Sequence, residues 1–454
     1  METNLIKLMI VLFVIFSLLP YGISWDYTGS SALTMEGSLT TKLQWGGLFI
    51  LATFILYRHL PETLKDIRAM NPFLAIVLIW CLASSLWSPL SATTFKRAIQ
   101  LYGIVMIGLS IQMAARPLHL MVNYVLYTLM GLLILSFFMA VAVPSIGIDY
   151  DLGGAWRGAL SQKNELGQVA ALSILLWQIK ACIEKVGIQK LLFGMLFAFF
   201  MLVMSKSSTS MIITLLTSGV FHLLRKRYIS SSYSLTRASL VLFCMLTVAV
   251  YVFFMHESRL PTWQEAASPI ASLFGKGTDL TGRTDVWQLV WLEINKHYVM
   301  GLGYGAFWLG PDSLSQFVID ALHWIPLQSH NGYLDILNEQ GLVGLIFVTL
   351  TLLTHAYYLN ALSRLDRQQA AFWSAMLTVV VITNFTESSL FRGFVFQNVF
   401  FIFSLVAVSS SIRRLKIAQQ TSLASAKPST FAPKPEMSVQ YNDMKDATSA
   451  RKEA

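Results

Sequence analysis

Apolar runs of roughly 15 to 25 residues recur along the whole chain, and they limit its possible folds more than any other feature. A helix needs about 20 residues to cross the ~30 Å hydrocarbon core of a membrane, so each run is long enough for one crossing. Apolar residues make up 55% of the chain and charged residues 13%. Soluble proteins carry about 25% charged residues. The sequence therefore predicts an all-α polytopic membrane protein.

We predict about twelve transmembrane helices. Their approximate bounds are 5–21, 43–57, 73–87, 99–115, 118–143, 167–183, 191–204, 211–224, 238–255, 337–359, 370–384 and 394–411. Lys and Arg are retained in cytoplasmic loops, so their distribution indicates the orientation. With both termini in the cytoplasm, the cytoplasmic segments hold 22 of the 33 Lys and Arg residues. The first run lacks an obvious cleavage site, so we expect it to be retained as a span.

Four regions follow from this assignment. Residues 1–255 contain the first nine spans, and residues 256–336 form one large outward loop that is rich in Trp and should fold. Within the loop, the apolar periodicity of residues 285–296 predicts an amphipathic helix at the membrane surface. Residues 337–411 contain the last three spans. Residues 412–454, rich in Ser, Ala, Lys and Pro, predict a disordered cytoplasmic tail.

Charge and small motifs exclude several other classes. The formal charge of +9 follows from the loop bias, and no basic patch alternates with exposed aromatic residues on a soluble domain, so we expect no nucleic-acid partner. The three cysteines fall in or beside predicted spans and imply no disulfide framework. Three alternate glycines in "GLGYGAFW", Gly301 to Trp308, indicate a tight turn rather than a phosphate-binding loop.

Three outward segments carry positive charge beside apolar spans, against the general bias. The first, "GGAWRGALSQKNELG", places Arg157 and Lys163 before the sixth span. Free N–H groups at a helix start favour an anion, and both cations add to that field. Alternatively, Arg157 contacts lipid headgroups, and Asn164 is a helix-end hydrogen-bonding residue.

The second segment is "TGRTDVWQLVW". Arg283 precedes Thr284 and Asp285, either of which can cap the amphipathic helix. A guanidinium at a helix start has a planar fork of donors that matches the oxygens of a diphosphate. The competing interpretation is a salt bridge between Arg283 and Asp279, Asp285 or another carboxylate.

The third segment is "QSHNGYLDILNEQGLVGL", with His330 before the tenth span. We expect its imidazole to be neutral at pH 7, the form that a general base requires. Asn331, Asp335 and Glu339 follow on the first turns, and either carboxylate could orient the imidazole. Clustered polar groups at membrane depth are costly, which favours a functional cavity for an anionic, lipid-attached ligand.

The three segments, in this order, resemble the O-antigen ligases and Wzy-type polysaccharide polymerases of bacterial envelopes. The resemblance is most specific at "HNGYLDILNEQGLVGL", and it extends to "GR" with the later Trp287, to "GLGYGAFW" and to "RGALSQKNELG". "MSKSSTS" resembles the family's Ser-rich turn, with Lys206 where an Arg is more usual. "TESSLF", Thr386 to Phe391, resembles its Glu-containing outer turn.

The resemblance implies a fold similar to GT-C-type membrane glycosyltransferases and a metal-independent enzyme without a cofactor. Its donor is a glycan linked through diphosphate to undecaprenol, used at the periplasmic face of the inner membrane. His330 is then the catalytic base, and the diphosphate-binding residues are Arg157, Arg283 and Lys163. The supporting residues are Asn164, Asn331, Asp335 and Glu339. Membrane lipid, a chain-length regulator and export proteins are the other partners considered.

Four functions remain open. The first is polymerisation of lipid-linked repeat units into exopolysaccharide or O-antigen, and the second is ligation of a finished glycan to lipid A core or another acceptor. "SKSSTS" and "TESSLF" are closer to the polymerases. The third is a transporter or flippase, for which the sequence lacks a convincing internal repeat. The fourth is a non-catalytic assembly scaffold, which would tolerate loss of His330.

Overall fold

The computed structural model describes residues 2–20, 39–150, 152–225 and 283–425. This part of the chain is almost entirely helical, as predicted. In chain order the helices are α1 (Glu2–Leu18), α2 (Leu39–Arg58), α3 (Leu60–Ala69), α4 (Pro72–Ala83), α5 (Ser91–Ile111), α6 (Pro117–Ala142), α7 (Pro144–Gly147), α8 (Lys163–Ile183), α9 (Ile188–Met204), α10 (Ser208–Arg225), α11 (Arg283–Ile294), α12 (Gln316–Leu322), α13 (Gly332–Ser363), α14 (Arg367–Thr383) and α15 (Phe396–Ser425). A short antiparallel pair, β1 (Ile148–Asp149) and β2 (Ala155–Trp156), lies between α7 and α8.

Within the described ranges, five helices are long and apolar enough to cross a membrane: α2, α6, α8, α13 and α15. A sixth crossing results if α3 and α4, which meet at an angle of 95°, form one broken span. The other predicted spans in the described residues also coincide with helices, but these are shorter or less apolar. The span predicted at 238–255 lies outside the described residues. The structure thus supports a multi-pass membrane protein, whereas the count of twelve spans remains a prediction.

The long helices alternate in direction, so their ends gather at two faces of the bundle. At the first, here called the site face, α8, α10, α13 and α15 begin and α6, α9 and α14 end. Contacts across helices define it, for example Asn164 with Glu387 and the N–H of Gly332 with the carbonyl of Asn384. The opposite face is defined in the same way by the contact of Lys180 with Asn123. All three basic segments singled out in the sequence lie at the site face.

The last helix, α15, forms the centre of the core, because 78% of its apolar 18-residue stretch is buried inside the bundle. Phe403 on α15 packs edge-on against Phe13 of α1, with ring centroids 4.8 Å apart. This helix continues to Ser425, so the predicted tail, which was to start at residue 412, begins instead as helix. Residues 426–454 lie outside the described residues.

Helix α13 is broken inside the bundle at Gly341, where φ is +68°. Segment 298–303 fills the break. The N–H groups of Leu302 and Gly303 donate to the carbonyls of Asn338 and Glu339, and the N–H of Leu342 donates to the carbonyl of Tyr298. Backbone groups on both sides of the break thereby gain partners, which burial requires. Gly301, Gly303 and Gly305 all have positive φ, so the predicted tight turn is confirmed.

Candidate functional site

His330 lies immediately before α13 in a strained backbone conformation, with φ at +55°. Left-handed geometry is uncommon for a residue with a bulky side chain and is found most often where the surroundings enforce it. Asn331 caps the helix, since its side-chain oxygen accepts hydrogen bonds from the N–H groups of Tyr333 and Leu334. The indole of Trp287 holds the preceding turn by donating to the carbonyl of Ser329 at 2.7 Å. His330 is therefore fixed at the start of α13, as predicted.

The imidazole of His330 contacts a carboxylate that the sequence analysis had not singled out. Nδ1 lies 3.0 Å from Oε2 of Glu387, in the segment between α14 and α15. The same carboxylate accepts from the Asn164 amide at 2.9 Å, the Gln328 amide at 3.0 Å and the Arg283 guanidinium at 3.3 Å. Glu387 thus connects α8, α11 and the segment before α13.

The contact with Glu387 defines the tautomer of the imidazole. The neighbouring amide of Gln328 is oriented by its own partners. Its oxygen accepts from the N–H of Ser388 at 3.1 Å and from Arg392 at 3.3 Å, so its NH₂ group faces Glu387. An ionised carboxylate is an acceptor, so Nδ1 of His330 must donate to it. In a neutral imidazole, Nε2 then carries the lone pair.

Asn384 positions Glu387. Its side-chain oxygen accepts from the N–H groups of Ser389 and Leu390, both at 2.9 Å, and its NH₂ group donates to the carbonyl of Val380 at 2.7 Å. The N–H of Gly332 donates to the carbonyl of Asn384 at 2.9 Å. Segment 384–395 is thereby tied to the start of α13.

Glu387 is ionised in this setting. Burial raises the pKa of its carboxyl, because its side chain is only 11% exposed, but the interactions with His330, Arg283 and Asn164 outweigh burial. The pKa of Glu387 is consequently lowered from its ordinary value. A permanently charged acceptor stabilises an imidazolium that forms beside it.

Arg283, Thr284 and Asp285 all lie within α11. Thr284 and Asp285 therefore do not cap this helix, and the predicted cap is wrong. The competing interpretation of Arg283, a salt bridge, is confirmed. Its carboxylate partner is Glu387 rather than Asp285. Asp279 lies outside the described residues. Among the described residues, Arg283 donates one hydrogen bond, from Nη2, and its side chain is 21% exposed.

Arg157 and Lys163 lie at the site face, at the entrance to α8. The Nε–H of Arg157 donates to the carbonyl of Ile146 at 2.7 Å, which anchors its side chain to the end of α7. Lys163 is the first residue of α8, and Asn164, the next one, reaches Glu387. The structure brings Asn164, Arg283 and His330 together. The roles of Arg157 and Lys163 at a diphosphate remain predictions.

From the sequence, Asp335 or Glu339 was expected to orient His330. In the structure neither of them does. Asp335 accepts from the indole of Trp308 at 2.8 Å and pairs with Arg392 at 3.4 Å. Glu339 accepts from the N–H of Gly305 at 2.9 Å. Both follow His330 on α13, so helical geometry turns them toward the glycine-rich turn, whereas Glu387 approaches from another chain segment.

Glu387, Gln328, Asn384 and Arg392 were missed as site residues. "TESSLF" was identified only as a point of resemblance. A carboxylate in a short turn between two apolar spans is the signal that could have identified Glu387 as a site residue. Among the described residues, no group of three or more His, Cys, Asp and Glu could hold a metal ion. Metal independence remains a prediction.

Comparison with known proteins gives two matches. The model of the family described as O-antigen ligase matches residues 193–349, a range that contains Arg283 and His330. The exopolysaccharide production protein ExoQ of Rhizobium meliloti (strain 1021) is 28% identical over 205 residues, which are 43% of this chain and 45% of that protein. The match thus spans less than half the length of this curated relative. Together these findings confirm the resemblance to O-antigen ligases and exopolysaccharide production proteins that the motifs indicated.

Proposed function

We propose that this protein is a membrane glycosyltransferase that joins lipid-linked oligosaccharide units into a polysaccharide. The donor is a glycan carried on undecaprenyl diphosphate. The observation that carries the proposal is the His330–Glu387 pair, because it leaves a basic nitrogen on a fixed imidazole beside Arg283. A base and a cation at one face are the two groups that transfer from a glycosyl diphosphate needs.

His330 acts as the general base. A sugar hydroxyl is too weak an acid to attack unaided, so Nε2 takes its proton as the oxygen approaches the anomeric carbon. The new bond joins that carbon to the acceptor oxygen, and the bond to the diphosphate oxygen breaks with both electrons. The imidazolium that results is stabilised by Glu387, which keeps its negative charge.

Arg283 receives the charge that develops on the leaving diphosphate. Its guanidinium lies 3.3 Å from Glu387, and its planar fork suits two phosphate oxygens at once. Arg157 and Lys163 supply further positive charge from the entrance to α8. Stabilisation of developing charge by preorganised donors requires no metal ion.

A polymerase and a ligase of this kind differ in the acceptor that they use. The printed name of the relative, an exopolysaccharide production protein, supports polymerisation, as do the "SKSSTS" and "TESSLF" segments. The description of the matching family favours ligation as the second candidate. Both reactions use the same donor and the same base, so the site geometry supports them equally.

The central experiment is chain extension in vitro by purified protein with lipid-linked repeat units. We expect His330→Ala to abolish extension while membrane insertion is unchanged. Lys7→Ala and Arg451→Ala, which change residues without a role in the proposed chemistry, should extend chains normally. Normal extension by the His330 variant contradicts the base assignment. Movement of the lipid-linked substrate across vesicles without glycosidic bond formation supports the transporter instead.

We further propose that the site face is periplasmic in a bacterial inner membrane, with both termini in the cytoplasm. The excess of Lys and Arg in the opposite loops supports this orientation. Single cysteines test it in a variant whose Cys81, Cys182 and Cys244 are replaced by Ser. An impermeant maleimide added to whole cells with a permeable outer membrane should label Ser161→Cys but not Lys185→Cys. The reverse pattern contradicts the orientation.

A further inference from the structure

A cavity of about 150 Å³ opens at the site face beside the His330–Glu387 pair. It lies between the first turns of α5, the first turns of α13 and segment 384–395. The lining residues used below are Arg97, Trp308, Asp335, Glu339, Ser388 and Arg392. None of them has a role in the base and diphosphate chemistry proposed above.

The size of the cavity and its chemistry limit what it can bind. A cavity of about 150 Å³ in another protein holds one benzene molecule, so this volume fits a single six-membered ring. Two guanidinium and two carboxylate groups line it, from Arg97, Arg392, Asp335 and Glu339. A hydrocarbon would bury the remaining donors and acceptors of these groups without partners, which is costly. A ring that carries several hydroxyl groups satisfies them.

The polar wall is fixed in place by the glycine-rich turn. The N–H of Gly305 donates to Glu339 at 2.9 Å, and the carbonyl of the same residue accepts from the guanidinium of Arg97. Gly305 has φ at +67°, and a Cβ there would lie 2.6 Å from Cδ of Arg97. One glycine therefore holds a cation and a carboxylate side by side at the wall, before any ligand arrives.

The wall also contains a hydroxyl that has no partner. Ser388 is 5% exposed, and its Oγ makes no hydrogen bond within the described part of the chain. A buried hydroxyl without a partner is costly, so its position at a cavity indicates a ligand that completes it. Trp308 adds an aromatic surface, and its indole is held by Asp335 at 2.8 Å. Aromatic walls with a few placed polar groups are typical of small-molecule sites.

The cavity is connected to the imidazole by a short chain of hydrogen bonds. Arg392 in the wall donates to the side-chain oxygen of Gln328 at 3.3 Å, and the NH₂ group of Gln328 donates to Glu387 at 3.0 Å. Nδ1 of His330 donates to the same carboxylate at 3.0 Å. Gly332, two residues after His330, is also part of the wall. A ring in the cavity is thus a neighbour of the base.

We propose that this cavity is the acceptor subsite, which binds the sugar ring whose hydroxyl attacks the donor. Arg97, Glu339 and Ser388 hydrogen-bond to the other hydroxyls of that ring, and Trp308 packs against its apolar face. The ligand is one pyranose ring of the growing or incoming oligosaccharide. This inference rests on the proposed glycosyl transfer, since an acceptor exists only if that reaction occurs.

The test separates acceptor from donor. The soluble acceptor is the oligosaccharide hydrolysed from the lipid-linked repeat units of the cells that make this protein. Extension rates are measured while this acceptor and the lipid-linked donor are varied independently. We expect Glu339→Gln and Arg97→Gln to raise the acceptor KM about 10-fold or more, since hydrogen bonds to charged groups are lost, with the donor KM unchanged. Glu293→Gln, on α11, is the matched control.

Glu339→Gln keeps a side-chain oxygen for the N–H of Gly305, so it tests the subsite even if Arg97→Gln fails to fold. Binding of the same soluble oligosaccharide, followed by saturation-transfer NMR, distinguishes the two proposals. Binding by wild type that weakens in both variants and persists in His330→Ala supports the subsite, even if no chain is made and the glycosyl transfer proposal fails. An unchanged acceptor KM in Glu339→Gln, or a rise confined to the donor KM, overturns the subsite.

Discussion

Glu387 accepts a hydrogen bond from Nδ1 of His330 at 3.0 Å, although the two residues lie 57 positions apart in the chain. The contact joins the segment before α13 to the segment after α14. It forms because the carbonyl of Asn384 accepts from the N–H of Gly332, which brings the two segments together at the site face. A base whose ring is held by a carboxylate presents one defined nitrogen to a substrate.

The first prediction follows directly from this contact. Glu387→Gln replaces a charged acceptor by a neutral amide that can donate or accept, so the imidazole loses both its fixed tautomer and the charge that stabilises its protonated form. We expect kcat for chain extension to fall about 100-fold or more, the usual contribution of general base catalysis, with the donor KM little changed. Steady-state kinetics on purified protein measures both.

Glu184→Gln is the matched control, because Glu184 pairs with Lys180 at the opposite face. It should retain full kcat. Equal losses in the two variants would indicate a general effect on folding and would remove Glu387 from the mechanism.

The second prediction concerns pH and stability. The folded protein lowers the pKa of Glu387 from its ordinary value of 4.5, so its ionised form stabilises the fold at neutral pH. That stabilisation is fully present above about pH 4.5 and is lost as pH falls through the lower folded pKa. The difference in melting temperature between wild type and Glu387→Gln should therefore shrink as pH falls below about 4.5. A difference that is constant over this range contradicts the lowered pKa.

The third prediction concerns the shape of the cation at the site. Arg283→Lys keeps the charge but loses the planar fork, and the shorter reach of one ammonium group cannot contact Glu387 and two phosphate oxygens together. We expect kcat/KM for the donor to fall by about 10-fold or more, the equivalent of one lost charged hydrogen bond. Arg58→Lys, on the exposed end of α2, should have no effect. Full activity in Arg283→Lys would exclude bidentate binding.

The helical spans were predictable because each is a continuous apolar run. The cap before α13 was not predicted, although Asn331 has a local partner in Tyr333. The partner of His330 was not predictable. Asp335 and Glu339 are near it in sequence, but both are turned to Trp308 and Gly305, and only the packing of α14 against α13 brings Glu387 into reach. Contacts between residues that are distant in the sequence form only through tertiary packing, so local sequence patterns do not predict them.

The end of the last helix shows the same limit. Composition placed residue 412 in a disordered tail, but Arg413 and Arg414 pair with a buried carboxylate on α3, and the helix that contains them continues to Ser425. Apolar content alone therefore underestimates a helix that is held by ion pairs.

The fourth prediction tests the break in α13. Gly341 has φ at +68°, and a Cβ there would lie 2.3 Å from the carbonyl oxygen of Val299. Gly341→Ala should cost about 3 kcal/mol or more, from the left-handed backbone and the forced displacement of segment 298–303. Thermal unfolding in detergent measures the loss. Gly46→Ala on α2, with nothing within 4 Å of the added carbon, should instead be neutral or gain about 0.5 to 1 kcal/mol.

The fifth prediction concerns the opposite face. The side chain of Asp66 is fully buried and accepts from Arg413 at 2.8 Å and from Arg414 at 2.9 Å. Removing one partner of a buried ion pair leaves the remaining charges uncompensated, so Asp66→Ala should destabilise the protein by about 3 kcal/mol. Glu62, which also contacts Arg413 but is 47% exposed, provides the contrast: Glu62→Gln should cost less than about 1 kcal/mol. Because the pair ties α15 to α3 far from His330, the Asp66 variant should lower the melting temperature while its kcat, measured well below that temperature, stays at the wild-type value. Equal destabilisation in the Asp66 and Glu62 variants would show that burial does not set the strength of this network.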